Sequence, residues 1–189
     1  MRADTKMRDL SSAEINLARI VFGTSLPAWS RIQITDGLGP VPTYNNPYTT
    51  EDSPLFFIHV GPDVYPDATL PKWLPGFGPY RNIFIHEMTH VWQYYHGYWV
   101  VLRSIWANSP LGAGYSYTVG PSDAWNDFNV EQQAQLVEDW FDGGMSMTDD
   151  RFVFIEKIIR AGVTGGFWAD MMDDLMINLP IEKLRLLSI

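Results

Sequence analysis

Apolar positions change their rhythm several times along the chain. Between Leu10 and Phe22 they recur at helical spacing behind Ser11, with Glu14 three residues further on and Gly23 at the end, which predicts a capped helix. SRIQIT (30–35) alternates, and LFFIHV (55–60) is a short apolar run rich in strand formers; both predict strands, paired antiparallel, with the edge of 55–60 open to an added chain. Two long segments rich in Pro and Gly, 36–54 and 61–79, read as loops. The second is either the rim of a cleft or a surface excursion pinned by Trp73 and Phe77. A helix is predicted from Tyr80 to His96, after Pro79 and before Gly97, with Phe84, Met88, Val91 and Tyr95 as its core-facing stripe. Another is predicted from Phe128 to Phe141, capped by Asn126 or Asp127 and ended by Gly143 and Gly144. RFVFIEKIIRAG (151–162) predicts a further helix, and DMMDDLMINLP with IEKLRLL one or two more, where Met171, Met172 and Met176 are expected as core filler. The pattern describes an α+β domain, mostly helical, with a small N-terminal antiparallel sheet.

Composition narrows what such a domain does. The 189 residues are 46% apolar, enough for one core, so residues 1–189 are expected to form a single domain. Thirteen Lys and Arg against 22 Asp and Glu leave a net charge of -9, the wrong sign for a nucleic acid or an anionic membrane. No apolar run approaches the roughly 18 residues of a membrane span, and MRADTKMRDLSSAE lacks an apolar core for a Sec signal. The expectation is a protein outside the membrane, with any export by another route. With no cysteine, a metal would have to sit on His and carboxylate.

Three of the four histidines lie in FIHEMTHVWQYYHG (84–97). On a helix His86 and His90 project about 40° apart, so both rings can reach one ion, while Glu87 lies off that axis, placed to hydrogen-bond a water rather than to ligate. This is the H-E-x-x-H pattern of zinc peptidases. Zinc needs a third protein ligand, and two candidates compete. His96 stands where a third His falls in H-E-x-x-H-x-x-G-x-x-H, but Gln93 occupies the Gly position, and on an unbroken helix His96 points about 80° to 120° away from the pair. The other candidate is a carboxylate of NVEQQAQLVEDWF, where Glu131 and Glu138 both lie at one edge of the apolar arc and Ala134 permits close helix approach. The upstream motif and the 45-residue offset from His86 favour Glu131. For the oxyanion of an acyl-transfer reaction, the segment LGAGYSYTVGPSD offers Tyr115 and Tyr117, of which Tyr117 is taken as the candidate donor. His59 is read as a strand residue.

IHEMTHVWQ, FNVEQQAQLVEDWF and LSSAEINLARIVFG together resemble a family of small zinc metallopeptidases, gluzincin-like, whose members occur alone or as C-terminal domains of Vgr and Rhs proteins of bacterial type VI secretion. The resemblance runs from Leu10 to Phe141. It implies a zincin-like fold, Zn2+ held by His86, His90 and Glu131, Glu87 as catalytic base, and a protein or peptide substrate. It also implies an antibacterial effector exported by type VI secretion, with secretion components or an immunity protein as partners. Gln135 departs from the wider pattern, in which an Asp four residues after the ligand Glu is common, so the outer support of the histidines is unassigned. Two alternatives stand beside a peptidase: a metal-dependent amidase acting on the cell wall, and a catalytically inactive metal-binding interaction module. An intact Glu87 argues against the last, since a purely structural site has no use for an acid beside the metal.

Overall fold

Arg8 of the first strand grips Glu14 of the first helix, and this pair ties the N-terminus to the rest of the chain. The computed structural model describes residues 5–38, 46–98, 100, 114–120 and 122–164. The helices expected beyond residue 164, with Met171, Met172 and Met176, lie outside the described residues.

Strand β1 (Met7–Asp9) leads into α1 (Ser12–Phe22), whose start is set by a capping box: Ser11 Oγ accepts from the Glu14 amide and the Glu14 carboxylate accepts from the Ser11 amide. Strands β2 (Ile32–Thr35), β3 (Tyr48–Asp52) and β4 (Leu55–His59) complete a sheet of order β1-β2-β4-β3. The expected antiparallel pairing of 30–35 with 55–60 does not occur: β2 and β4 run parallel, Ile32 opposite Phe56 and Thr35 opposite His59. The reason lies in β3, a polar strand within the segment read as loop. The chain crosses to the far edge, forms β3, and returns through β4 antiparallel to it. β4 is therefore an interior strand with both edges paired, and the outer strands of the sheet are β1 and β3. Interior placement accounts for the near-continuous burial of Phe56, Phe57, Ile58 and His59.

A short helix α2 (Gly61–Val64) and a two-stranded hairpin, β5 (Trp73–Leu74) with β6 (Gly78–Pro79), follow in the second segment read as loop. Trp73 is 67% exposed and Phe77 39%, so neither pins the excursion. Helix α3 (Tyr80–Tyr95) starts behind Pro79 and ends where Gly97 takes φ 84°, a value that favours glycine. Phe84, Met88 and Val91 are fully buried, but Tyr95, the fourth member of the expected stripe, is exposed at the helix end, its ring 6.4 Å from Phe56 and under the Arg31 guanidinium. Helix α4 (Val130–Asp142) begins later than expected because Asn129, rather than Asn126 or Asp127, is the cap. Its side chain accepts from the Glu131 and Gln132 amides, and Gln132 Oε1 accepts from the Asn129 amide in return. Residues Trp125–Asp127 form a 3-10 turn before it. The segment 151–162 is helical over Phe152–Phe154 and continues as a π turn over Ile155–Ile159. α3 packs on the sheet with one face and on α4 with another. Trp92, Trp140, Phe22, Phe84 and Ile155 sit in the same buried cluster. Among the described residues no helix is long and apolar enough to cross a membrane.

Candidate metal centre

The seam between α3 and α4 is polar where two apolar helices would ordinarily bury hydrocarbon. His86 and His90 lie one turn apart on α3, and Glu131 comes from the first turn of α4. Nε2 of His86 and Nε2 of His90 each stand 3.4 Å from the same carboxylate oxygen, Glu131 Oε2. All three side chains are largely buried, and their ligand atoms lie within 4.8 Å of one another. Tetrahedral zinc with bonds of about 2.0–2.2 Å separates its ligand atoms by roughly 3.3–3.5 Å. Two imidazole nitrogens and a carboxylate oxygen at this spacing fit a zinc ion in both chemistry and size. His96 is not part of this group: it caps the C-terminal end of α3, its Nε2 donates to the Ser25 carbonyl at 2.7 Å, and its ring packs on Trp92.

The nitrogens facing away from the cluster are also partnered. Nδ1 of His86 lies 3.0 Å from Glu138, two turns along α4 from Glu131, and Nδ1 of His90 lies 2.7 Å from Gln93 Oε1. Carboxylate and amide oxygens only accept, so both Nδ1 atoms donate and both Nε2 atoms are turned to Glu131. Gln93 is itself fixed, its amide donating to the Val130 carbonyl and to Gln133 Oε1, while Gln133 donates to the carbonyls of Trp125 and Phe128. Gln135, the position that departs from the related pattern, donates to Asp139 instead.

Burial pushes the His86 ring toward its neutral form, but its hydrogen bonds to Glu131 and Glu138 and the nearby Glu87 outweigh that and hold its pKa up to about 10. His90 moves up for similar reasons, burial opposing and Glu131 prevailing. Glu131 is held well below the usual carboxylate range: burial opposes, and the two rings win. Glu87, 4% exposed, is pushed up by burial, against the pull of His90, His86 and the hydroxyl of Thr49. That hydroxyl stands 2.8 Å from Glu87 Oε2.

The two loop tyrosines take different places. Tyr117 donates its hydroxyl to Asp139 at 2.6 Å and packs edge-on against Phe128, whereas it is the ring of Tyr115 that lies 5.9 Å from the His86 ring. A cleft of 770 Å³ opens beside Tyr115, walled by Tyr117, Gln135, Asp139, Asp149 and Arg151. Glu138, Gln93, Thr49 and Tyr115 are the site residues that the motif alone does not point to. For Glu138 one signal exists in the sequence, its place beside Glu131 at the same edge of the α4 apolar arc.

Comparison with known proteins bears on this geometry. Over 162 residues, 82% of its length, the chain is 33% identical to the type VI secretion system spike protein VgrG2b of Pseudomonas aeruginosa, of which it spans only 15%. The solved effector domain of Pseudomonas aeruginosa VgrG2b superposes with a TM-score of 0.53 at 29% identity, covering 84% of each chain. The two matches establish homology with that effector domain. No protein-family model matches the chain.

Proposed function

We propose that this chain is a zinc-dependent peptidase acting as a type VI secretion effector. The observation that carries the chemistry is the convergence of both Nε2 atoms on Glu131 Oε2 at 3.4 Å, with the carboxylic acid of Glu87 next to His86 in the chain. What carries the biological setting is homology with the VgrG2b effector domain. His86, His90 and Glu131 hold the ion, and Glu138 and Gln93 keep the two rings turned to it. When bound, zinc supplies a Lewis acid that acidifies water and polarises the scissile carbonyl. Glu87 accepts the proton of the attacking water at its carboxylate and returns it to the leaving amine, work suited to a buried acid whose proton affinity is raised above the ordinary. The loop 114–120 supplies the second donor for the developing oxyanion. We assign that role to Tyr115, whose ring lies 5.9 Å from that of His86.

The test is zinc content by elemental analysis on protein purified without chelator, together with hydrolysis of a denatured protein substrate. One zinc per chain, lost in Glu131→Ala and kept in His96→Ala, with hydrolysis abolished in Glu87→Gln while zinc is retained, is the expected result. A chain that takes up no zinc even after its addition would sink the proposal.

A further inference from the structure

Glu87 is a short side chain in a buried seam, and a base that must meet a proton at one place needs its carboxylate held. The polar contact made to that carboxylate by another element comes from Thr49 on β3, 38 residues earlier: Oγ1 is 2.8 Å from Glu87 Oε2 and 3.1 Å from the Glu87 carbonyl. A hydroxyl has one hydrogen, and the nearer, charged oxygen is the stronger acceptor. Thr49 is 7% exposed on β3, an outer strand of the sheet, and its flanks are pinned. Tyr48 stacks on His59 with ring centroids 4.1 Å apart, Thr50 Oγ1 meets His59 Nε2 at 3.0 Å, and Tyr94, one turn beyond His90, points its hydroxyl at the Thr49 carbonyl, 3.5 Å away. Rigid support of this kind is what a precisely placed acid requires.

We propose that Thr49 is a positioning residue for the reaction: its hydroxyl fixes Oε2 of Glu87 and so commits the other oxygen, Oε1, to proton transfer. The inference rests on the peptidase reading. It also gives β3 a chemical role distinct from its place in the sheet, since the strand's hydroxyl reaches the base while its backbone pairs with β4.

The experiment measures two affinities on the full chain by titration calorimetry: zinc, and then acetohydroxamate on the zinc-loaded protein. A hydroxamate needs both the ion and a correctly placed proton acceptor, whatever the natural substrate. Thr49→Val removes the hydroxyl at nearly constant volume, and Thr49→Ser keeps it. Thr49→Val is expected to bind zinc as the unmodified chain does and acetohydroxamate about tenfold more weakly, the loss of one hydrogen bond to a charged group. Thr49→Ser is expected to restore the hydroxamate affinity to within about twofold, a rescue that a packing role would not produce. Unchanged hydroxamate binding in Thr49→Val, or loss of zinc from both variants, would overturn the inference. An unmodified chain that binds no zinc, or binds zinc but no hydroxamate, would instead bring down the peptidase reading and this inference with it. Should Thr49→Val not fold, Thr49→Ala read against Thr49→Ser makes the same comparison.

Discussion

Glu138 reaches across from α4 to hold Nδ1 of His86 at 3.0 Å. The contact comes from seven residues beyond Glu131, while Gln135, one turn beyond Glu131, donates to Asp139. Because a carboxylate accepts only, it fixes which nitrogen of His86 is offered to a metal and raises the basicity of the ring. Glu138→Ala is expected to weaken zinc binding by about 10- to 100-fold and Glu138→Gln by less, since an amide oxygen still accepts but carries no charge. Competition with a chromophoric chelator measures both. Equal affinities in all three proteins would show that His86 needs no such partner.

Gln93 plays the corresponding part for His90, with a larger structural stake. Its oxygen accepts from Nδ1 and its amide serves Val130 and Gln133, so one side chain joins the site to the start of α4. Gln93→Leu leaves the buried His90 Nδ1–H and the buried Gln133 side-chain oxygen without this partner, and is expected to cost about 2–4 kcal/mol in urea unfolding of the metal-free protein. Retention of full stability would mean that water replaces the amide.

Much of this arrangement is legible before any coordinates, and what is legible is local. The capping box at Ser11 and Glu14 and the 3.6-residue stripe of Phe84, Met88 and Val91 depend on neighbours within two or three turns. So do the one-turn spacing of His86 and His90 and the place of Glu131 and Glu138 at one edge of their helix. What escapes a reading of the chain is set by registers between elements. β3 carries Tyr, Thr, Glu and Asp because one side of it is open, so it lacks the apolar signature that β4 shows, and without β3 the parallel pairing of β2 with β4 cannot be foreseen. Thr49 meets Glu87, and Tyr115 rather than Tyr117 meets His86, only because of how a strand and a loop are laid against α3.

Away from the site, the partly buried Arg8 and the buried Glu14 form a charged contact. Arg8 donates to both Glu14 oxygens at 2.7 Å, and the Ser11 and Ala68 amides add bonds at 2.8 and 3.2 Å. The Glu14 side chain is fully buried and that of Arg8 25% exposed. Glu14→Gln is expected to destabilise the chain by about 2–4 kcal/mol, by stranding a partly buried guanidinium, and to leave zinc affinity untouched. Burial raises the Glu14 pKa, but the Arg8 hydrogen bond and the two amides lower it further, for a net depression. Its contribution is therefore present above the ordinary carboxylate range and is lost as pH falls through the folded value. A variant whose stability matches that of the unmodified chain at neutral pH would contradict this.

His59 adds acid sensitivity of the same sign by a different route, from a group that is buried neutral. Thr35 Oγ1 meets its Nδ1 at 2.7 Å and Thr50 Oγ1 its Nε2 at 3.0 Å, so the ring links β4 to both neighbouring strands. Burial disfavours the charged form and takes the pKa down from 6.5 to about 4. Between those values the unfolded chain binds a proton that the folded chain does not, so stability falls as pH falls. The full linkage would be about 3 kcal/mol, and residual solvent contact should reduce it to about 1–2 kcal/mol. Urea unfolding at pH 7.5, 6, 5 and 4.5, with His59→Gln beside the unmodified chain, isolates the effect, because the His86, His90 and Glu131 group and Glu14 titrate alike in both and cancel in the difference. The unmodified chain is expected to lose its advantage over His59→Gln across that interval. A difference independent of pH would mean that the ring takes up its proton in the folded state as readily as in the unfolded one.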